Sequence, residues 1–269
     1  MPSNPNPTKA ERREAAREQA KQLREAQARR DRRNRNILIG GVIALMVVVA
    51  IALYVIISQG SKPVAENVET VPANVSVEDG GISLGSDLVA GTANEGAPVL
   101  DVYLDYTCSF CAMFEEINAG DVEEMVTAGD ATVVFHPVAI LDRTGEFSGY
   151  SGRSAQAAAV VADAAPEAFA DFHAALFALW AEAVDAGASE SGGGVEPTDE
   201  DIAAAAVESG VPQDVADSIA EGRFTEWVSA TTEQFSRDGF TGTPTVLVDG
   251  EVFQEWNTPG ALVEAVTGE

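Results

Sequence analysis

The chain has 269 residues and a net charge of −27, from 43 Asp or Glu against 16 Lys or Arg. That acidity argues against nucleic acid as a partner, and two cysteines are too few for a disulfide-stapled scaffold. The charge is also uneven: residues 1–36 hold eleven Lys or Arg against five Asp or Glu, so the acidity lies in the remainder.

Residues 8–35 are rich in Ala, Glu, Gln, Arg and Lys, which predicts helix, but Leu23 is the only large aliphatic there. No apolar stripe exists to drive a coiled coil, so 1–36 reads as a solvated basic segment. Residues 37–57 follow without a single charge. At 1.5 Å per residue this run reaches about 30 Å, the thickness of a hydrocarbon core. A cleaved signal peptide would have an apolar core of about 7–15 residues and a small-x-small cleavage site. This run is longer, and Ser58-Gln59-Gly60-Ser61 is a poor cleavage site. The expectation is a retained single transmembrane anchor. Five arginines lie in the eight residues before it and only Lys62 follows closely. The N-terminus is therefore expected in the cytoplasm and the C-terminal part outside the cell membrane. Residues 58–73, with Pro63 and Pro72, read as a linker.

Residues 74–269 suffice for one domain with a sizeable core. Val75–Val77 and Gly81–Leu84 suggest a short hairpin around Asp79-Gly80. Pro98–Leu104 alternates as a strand, and helix is predicted from Cys108 to about Ala128, with a break near Gly120. Ala131–Phe135 reads as a second buried strand running into His136-Pro137. A helical block fills about 150–238. Within it, Phe169, Phe172, His173, Leu176, Phe177 and Trp180 recur at spacings of three and four on one face. Gly187–Glu196 is a Gly/Ser loop, and Thr198 is placed to cap the helix after it. Helix is also predicted over Asp214–Glu221 and Phe224–Asp238. Strand patterning returns at Thr243–Val248 and Glu251–Phe253 around Asp249-Gly250, and a last helix is predicted from about Thr258 to Val266.

Both cysteines fall in Cys108-Ser109-Phe110-Cys111, where the strand gives way to helix. A loop that short staples almost nothing, so the pair serves chemistry or a ligand. Cys108 at a helix N-terminus meets unpaired N–H groups and the positive end of the dipole. These favour thiolate and lower the thiol pKa from about 8.5 toward roughly 3.5–7.5. Cys111, one turn on, is placed to resolve a mixed disulfide. Asp105, three residues before Cys108, reads either as a proton acceptor for Cys111 or as a residue ending the strand in water. Glu115 reads as a solvated surface group, His173 as a core residue and His136 as a structural group at a strand end.

The order β, motif, α, β, helical insertion, β-hairpin, α is that of a thioredoxin-like α/β fold with an inserted helical subdomain. Three segments then carry a resemblance: Asp105–Cys111, Phe169–Phe177 and Asp238–Gly250, the last containing Gly242-Thr243-Pro244. Together they resemble DsbA-type thiol–disulfide oxidoreductases, specifically the membrane-anchored thioredoxin-domain proteins of high-GC Gram-positive bacteria. The resemblance implies that Thr243–Pro244 is a cis bond facing the cysteines, with the backbone of Thr243 pairing an extended substrate. It also implies catalysis by Cys108 and Cys111 without a cofactor or metal, on secreted or envelope proteins bearing cysteines, with a membrane redox partner for recycling. Ser109 and Phe110 stand where the strong oxidants of the family carry proline and histidine. Phe110 cannot supply histidine's hydrogen bond to the thiolate, so a less depressed Cys108 pKa and a milder oxidant are expected. An oxidising outer compartment favours disulfide donation. Three other readings stay open: a disulfide reductase or isomerase using the same site, a metal-binding module in which the two thiolates hold Cu(I), and a membrane-tethered binding protein that has kept only the fold.

Overall fold

A computed structural model describes Val64 and residues 68–268. The chain divides into a unit ending at Ser61 and a unit spanning 62–269, and all described residues belong to the second. The basic segment 1–36, the apolar span 37–57 and the first part of the linker lie outside the described residues. Among the described residues, no helix is long and apolar enough to cross a membrane.

The core is a five-stranded sheet in the order β1-β3-β2-β4-β5. Strands β2 (Val99–Leu104) and β3 (Thr132–Pro137) run parallel, from Val99 opposite Thr132 to Leu104 opposite Pro137. They are joined by α1 (Ser109–Ala128), which makes a βαβ unit. Leu100, Val102, Leu104, Val133 and Phe135 are buried, as strands covered on both faces require. Strand β1 (Ile82–Leu84) pairs antiparallel with β3. On the other side β4 (Thr245–Val248) pairs antiparallel with β2, and β5 (Glu251–Val252) closes the edge. Asp249 (φ 49°) and Gly250 (φ 81°) make the β4–β5 turn, both in the left-handed region that suits a two-residue hairpin. The Asp249 carboxylate accepts from Val99 N–H at 2.9 Å, locking the hairpin to β2.

Two expectations change here. Residues 75–77 form no strand. Instead Ser76 N–H donates to Gly81 C=O (2.8 Å), Gly80 N–H to Ser76 C=O (2.9 Å) and Gly81 N–H to Asp79 Oδ1 (3.0 Å). Local side-chain and main-chain bonds thus close a turn in place of a ladder. Helix α1 also runs through Gly120 without a break. Glycine weakens a helix interior by about 1 kcal/mol, too little to interrupt one buried through Phe114, Asn118, Val122, Met125 and Val126. It ends at Gly129 (φ 87°), whose N–H caps the carbonyls of Met125 and Val126.

Between β3 and β4 stand five helices: α2 (Tyr150–Ala164), α3 (Phe169–Asp185), α4 (Asp199–Glu208), α5 (Gln213–Ser218) and α6 (Thr225–Arg237). Helix α2 is alanine-rich and buried along most of its length, and its small side chains let α3 and α6 pack close on either side. Thr198 caps α4 through a reciprocal pair with Asp201. Helix α7 (Ala261–Thr267) closes the chain, and Asn118 of α1 donates to Trp256 C=O (3.0 Å) in the segment leading to it.

Candidate active site

The backbone turns sharply where β2 ends. Cys108 N–H donates to Asp105 C=O (3.0 Å), and Cys108 C=O accepts from Cys111 N–H (3.1 Å) and Ala112 N–H (3.0 Å), opening α1 with Cys108 as its N-cap. Of the first-turn N–H groups, those of Phe110 and Cys111 act on the Cys108 sulfur.

Asp105 organises this corner from beneath. It is fully buried, and its Oδ1 accepts from Thr107 N–H (2.9 Å) and Thr107 Oγ1–H (2.8 Å). Its Oδ2 accepts from Leu141 N–H (2.9 Å) and Ser151 Oγ–H (2.7 Å). The expectation that it ends the strand in water is corrected: the carboxylate joins the motif loop to the segment after β3 and to α2. Burial pushes its pKa up, against the pull of the four donors.

The last strand approaches from the opposite side. The Thr243–Pro244 peptide is cis, and Thr243 C=O accepts from the Cys108 thiol at 3.2 Å, across 135 residues of sequence. Cys108, Cys111, Thr243 and Pro244 thus share one place, with Ser109 and Phe110 exposed beside them and Phe110 59% accessible.

The two thiols are unequal. A hydrogen bond from Cys111 lowers the Cys108 pKa to about 7, against burial, with help from Thr243 and from the backbone at Cys111 and Phe110. Burial raises the Cys111 thiol well above its ordinary value, and the neighbouring Cys108 pushes the same way. Near neutral pH one sulfur is poised to ionise and the other holds its proton. That division suits thiol–disulfide exchange, in which one sulfur meets the partner and the other resolves.

Next to the motif, His173 of α3 is buried with Nδ1 2.9 Å from the Tyr106 hydroxyl and Nε2 3.3 Å from Glu115 Oε1. Glu115 is therefore partnered, which corrects the expectation of a solvated group. His136 is buried within β3, its Nε2 2.9 Å from Asp101 Oδ1 and its ring stacked on Tyr103. Two further groups carry no sequence signal: Ser151, which reaches Asp105, and Glu190, whose Oε1 accepts from Ser109 N–H at 2.6 Å. Glu190 lies in a Gly/Ser loop 81 residues away, with no motif to single it out.

A thioredoxin family model matches residues 85–267, well over half of the chain. Among solved structures, MdbA from Actinomyces oris, a thiol-disulfide oxidoreductase, is 28% identical with a TM-score of 0.61, the match covering 77% of this chain and 100% of that one. The disulfide bond oxidoreductase DsbG from Mycobacterium tuberculosis, in its reduced form, is 32% identical with a TM-score of 0.57, covering 70% and 88%. Reduced DsbA from Mycobacterium tuberculosis is 30% identical with a TM-score of 0.56, covering 70% and 93%. No curated protein matches the chain.

Proposed function

The chain belongs to the thioredoxin family and, within it, to the DsbA-type thiol–disulfide oxidoreductases, and on that premise we propose that it donates the Cys108–Cys111 disulfide to secreted or cell-envelope proteins outside the membrane. The observation that carries this reading is the inequality of the two cysteines. Both are buried, 5% and 1% exposed, but Cys108 opens α1 against Thr243 with its thiol pKa lowered, whereas burial raises that of Cys111. A client thiolate attacks Cys108 Sγ in the disulfide, the S–S bond breaks, and Cys111 leaves as a thiolate that takes up a proton. A second client thiol then loses its proton and attacks the client sulfur of the mixed disulfide, releasing Cys108 as thiolate. The client is oxidised by two electrons and the enzyme is left reduced. The backbone of Thr243 holds the client segment by strand pairing, and a membrane redox partner restores the disulfide. Asp105 fixes the motif loop through its four donors.

The anchor at 37–57 keeps the catalytic part, from about residue 74, on the oxidising side of the membrane, where a disulfide donor works. Cys108→Ser abolishes exchange with thiol substrates and Cys111→Ser accumulates mixed disulfides, both read on non-reducing gels; full turnover in both variants contradicts the proposal. The direction is read from the reduction potential against glutathione. A dedicated donor lies at about −120 mV, whereas a value near −270 mV, that of thioredoxin, makes the protein a reductant. One observation favours an isomerase-like balance as the second reading. A Cys108 pKa of about 7 stabilises the reduced form far less than the roughly 3.5 of the strongest oxidants, and that balance predicts a potential near −180 mV.

A further inference from the structure

Glu190 reaches across from the helical insertion to the first N–H of the active-site helix. Its Oε1 accepts from Ser109 N–H at 2.6 Å. The loop that carries it is tied down: Ser189 N–H donates to Gly193 C=O (3.0 Å), Gly192 N–H to Ser189 C=O (2.8 Å), and Arg143 Nε–H to the Glu190 carbonyl (2.7 Å). Arg143 binds the main chain of Glu190, and among the described residues no ion pair neutralises the Glu190 carboxylate. A helix N-terminus stabilises negative charge in its first turn through a small set of free N–H groups and the dipole. Here the set is shared between two claimants. The Cys108 sulfur draws on the backbone at Phe110 and Cys111, and Glu190 takes Ser109. A carboxylate held on the N–H of the residue after Cys108 also disfavours the thiolate by like-charge repulsion.

We propose that Glu190 is a positioning residue that restrains the Cys108 thiolate: by capping α1 from the helical insertion, it competes for the helix N-terminus and holds the disulfide to a milder oxidising strength. The proposal rests on the redox reading of the Cys108–Cys111 pair and adds the group that sets its poise. The other titratable groups at this corner are arranged differently. Arg143, Asp142 and Glu196 line the same cavity as Glu190, Arg143 bonding the Glu190 main chain while Asp142 and Glu196 accept from the start of α2. Cys111 is on α1 and donates to Cys108. Asp105 at the end of β2 is saturated by four donors. Glu115 faces His173 of α3. Among the described residues, Glu190 alone places a carboxylate on a main-chain donor of the first turn.

The test is a charge series at one position, Glu190→Gln and Glu190→Lys, in the full chain. Gln keeps an acceptor for Ser109 N–H and removes the charge, so a merely structural cap would leave Cys108 unmoved in that variant. The readouts are the thiolate titration of Cys108, by ultraviolet absorbance of the reduced protein, and the equilibrium with glutathione. Glu190→Gln lowers the Cys108 pKa by about 0.5–1 unit, and Glu190→Lys lowers it further. At pH 7 the Gln change favours the reduced form by roughly two- to sixfold, about 9–23 mV toward a stronger oxidant. An unchanged or raised Cys108 pKa in Glu190→Gln overturns the proposal, whatever Glu190→Lys does. Failure of the redox reading is separate: it shows as a wild-type protein that does not equilibrate with glutathione at all.

Discussion

Cys108 and Cys111 stand one turn apart on α1, yet they titrate in opposite directions because one caps the helix beside Thr243 and the other is packed behind it. The sign of the resulting pH dependence follows from linkage. Cys108 has a folded pKa of about 7 against about 8.5 for a free thiol, so the folded reduced protein releases its proton first. The stabilisation is present above the unfolded value and is lost as pH falls through the folded one. The reduced protein should therefore gain about 1 kcal/mol relative to Cys108→Ser between pH 7 and 8. Above roughly pH 8.5 the gain should stop growing, because Cys108 is by then ionised in the unfolded chain as well. Urea unfolding at stepped pH measures this, and a flat difference across that interval contradicts the asymmetry. Asp105 makes a structural prediction at the same scale. Asp105→Ala strands four buried donors and should cost about 3–5 kcal/mol, measured by denaturant midpoint; a loss under 1 kcal/mol would deny it the role of fixing the motif loop.

Helices α1 and α2 each contain one glycine, and the two are opposites. Gly120 faces open space, with nothing near the position of an added Cβ, whereas a Cβ on Gly152 would meet the main chain of Phe147. Gly120→Ala should stabilise by roughly 0.5–1 kcal/mol, and Gly152→Ala should destabilise by about 1–3 kcal/mol through overpacking. Thermal melting decides between them, and equal effects would mean that α2 is not held as closely as described. The long elements were legible in the sequence because their apolar periods are long: Val99–Leu104, the helix after Cys108, and the Phe169–Trp180 face. The strand expected at Val75–Val77 failed because three residues carry too little pattern to outweigh Ser76 and Asp79, which bond their own backbone. The break expected at Gly120 failed because glycine's cost is small beside the burial of the rest of α1.

At the scale of the molecule, the active site is an assembly of distant pieces: the end of β2, the start of α1, the segment before β4 and a loop of the helical insertion. The cysteines and Gly242-Thr243-Pro244 were readable because their residue types announce their chemistry. Ser151, Leu141 and Glu190 were not, because an ordinary serine, a main-chain N–H and a glutamate in a Gly/Ser loop gain their roles only from three-dimensional placement. The insertion accordingly does more than enlarge the core, since it supplies Ser151 under the motif and Glu190 at its lip. The account depends most directly on which sulfur is reactive and at what pH. Timed alkylation of the reduced full chain in detergent, with the modified cysteine identified by mass spectrometry across pH 5–9, measures both together. The prediction is that Cys108 is modified first, with a midpoint near pH 7, while Cys111 stays unmodified throughout. Prior modification of Cys111, or a Cys108 midpoint at the ordinary thiol value of about 8.5, would contradict the account.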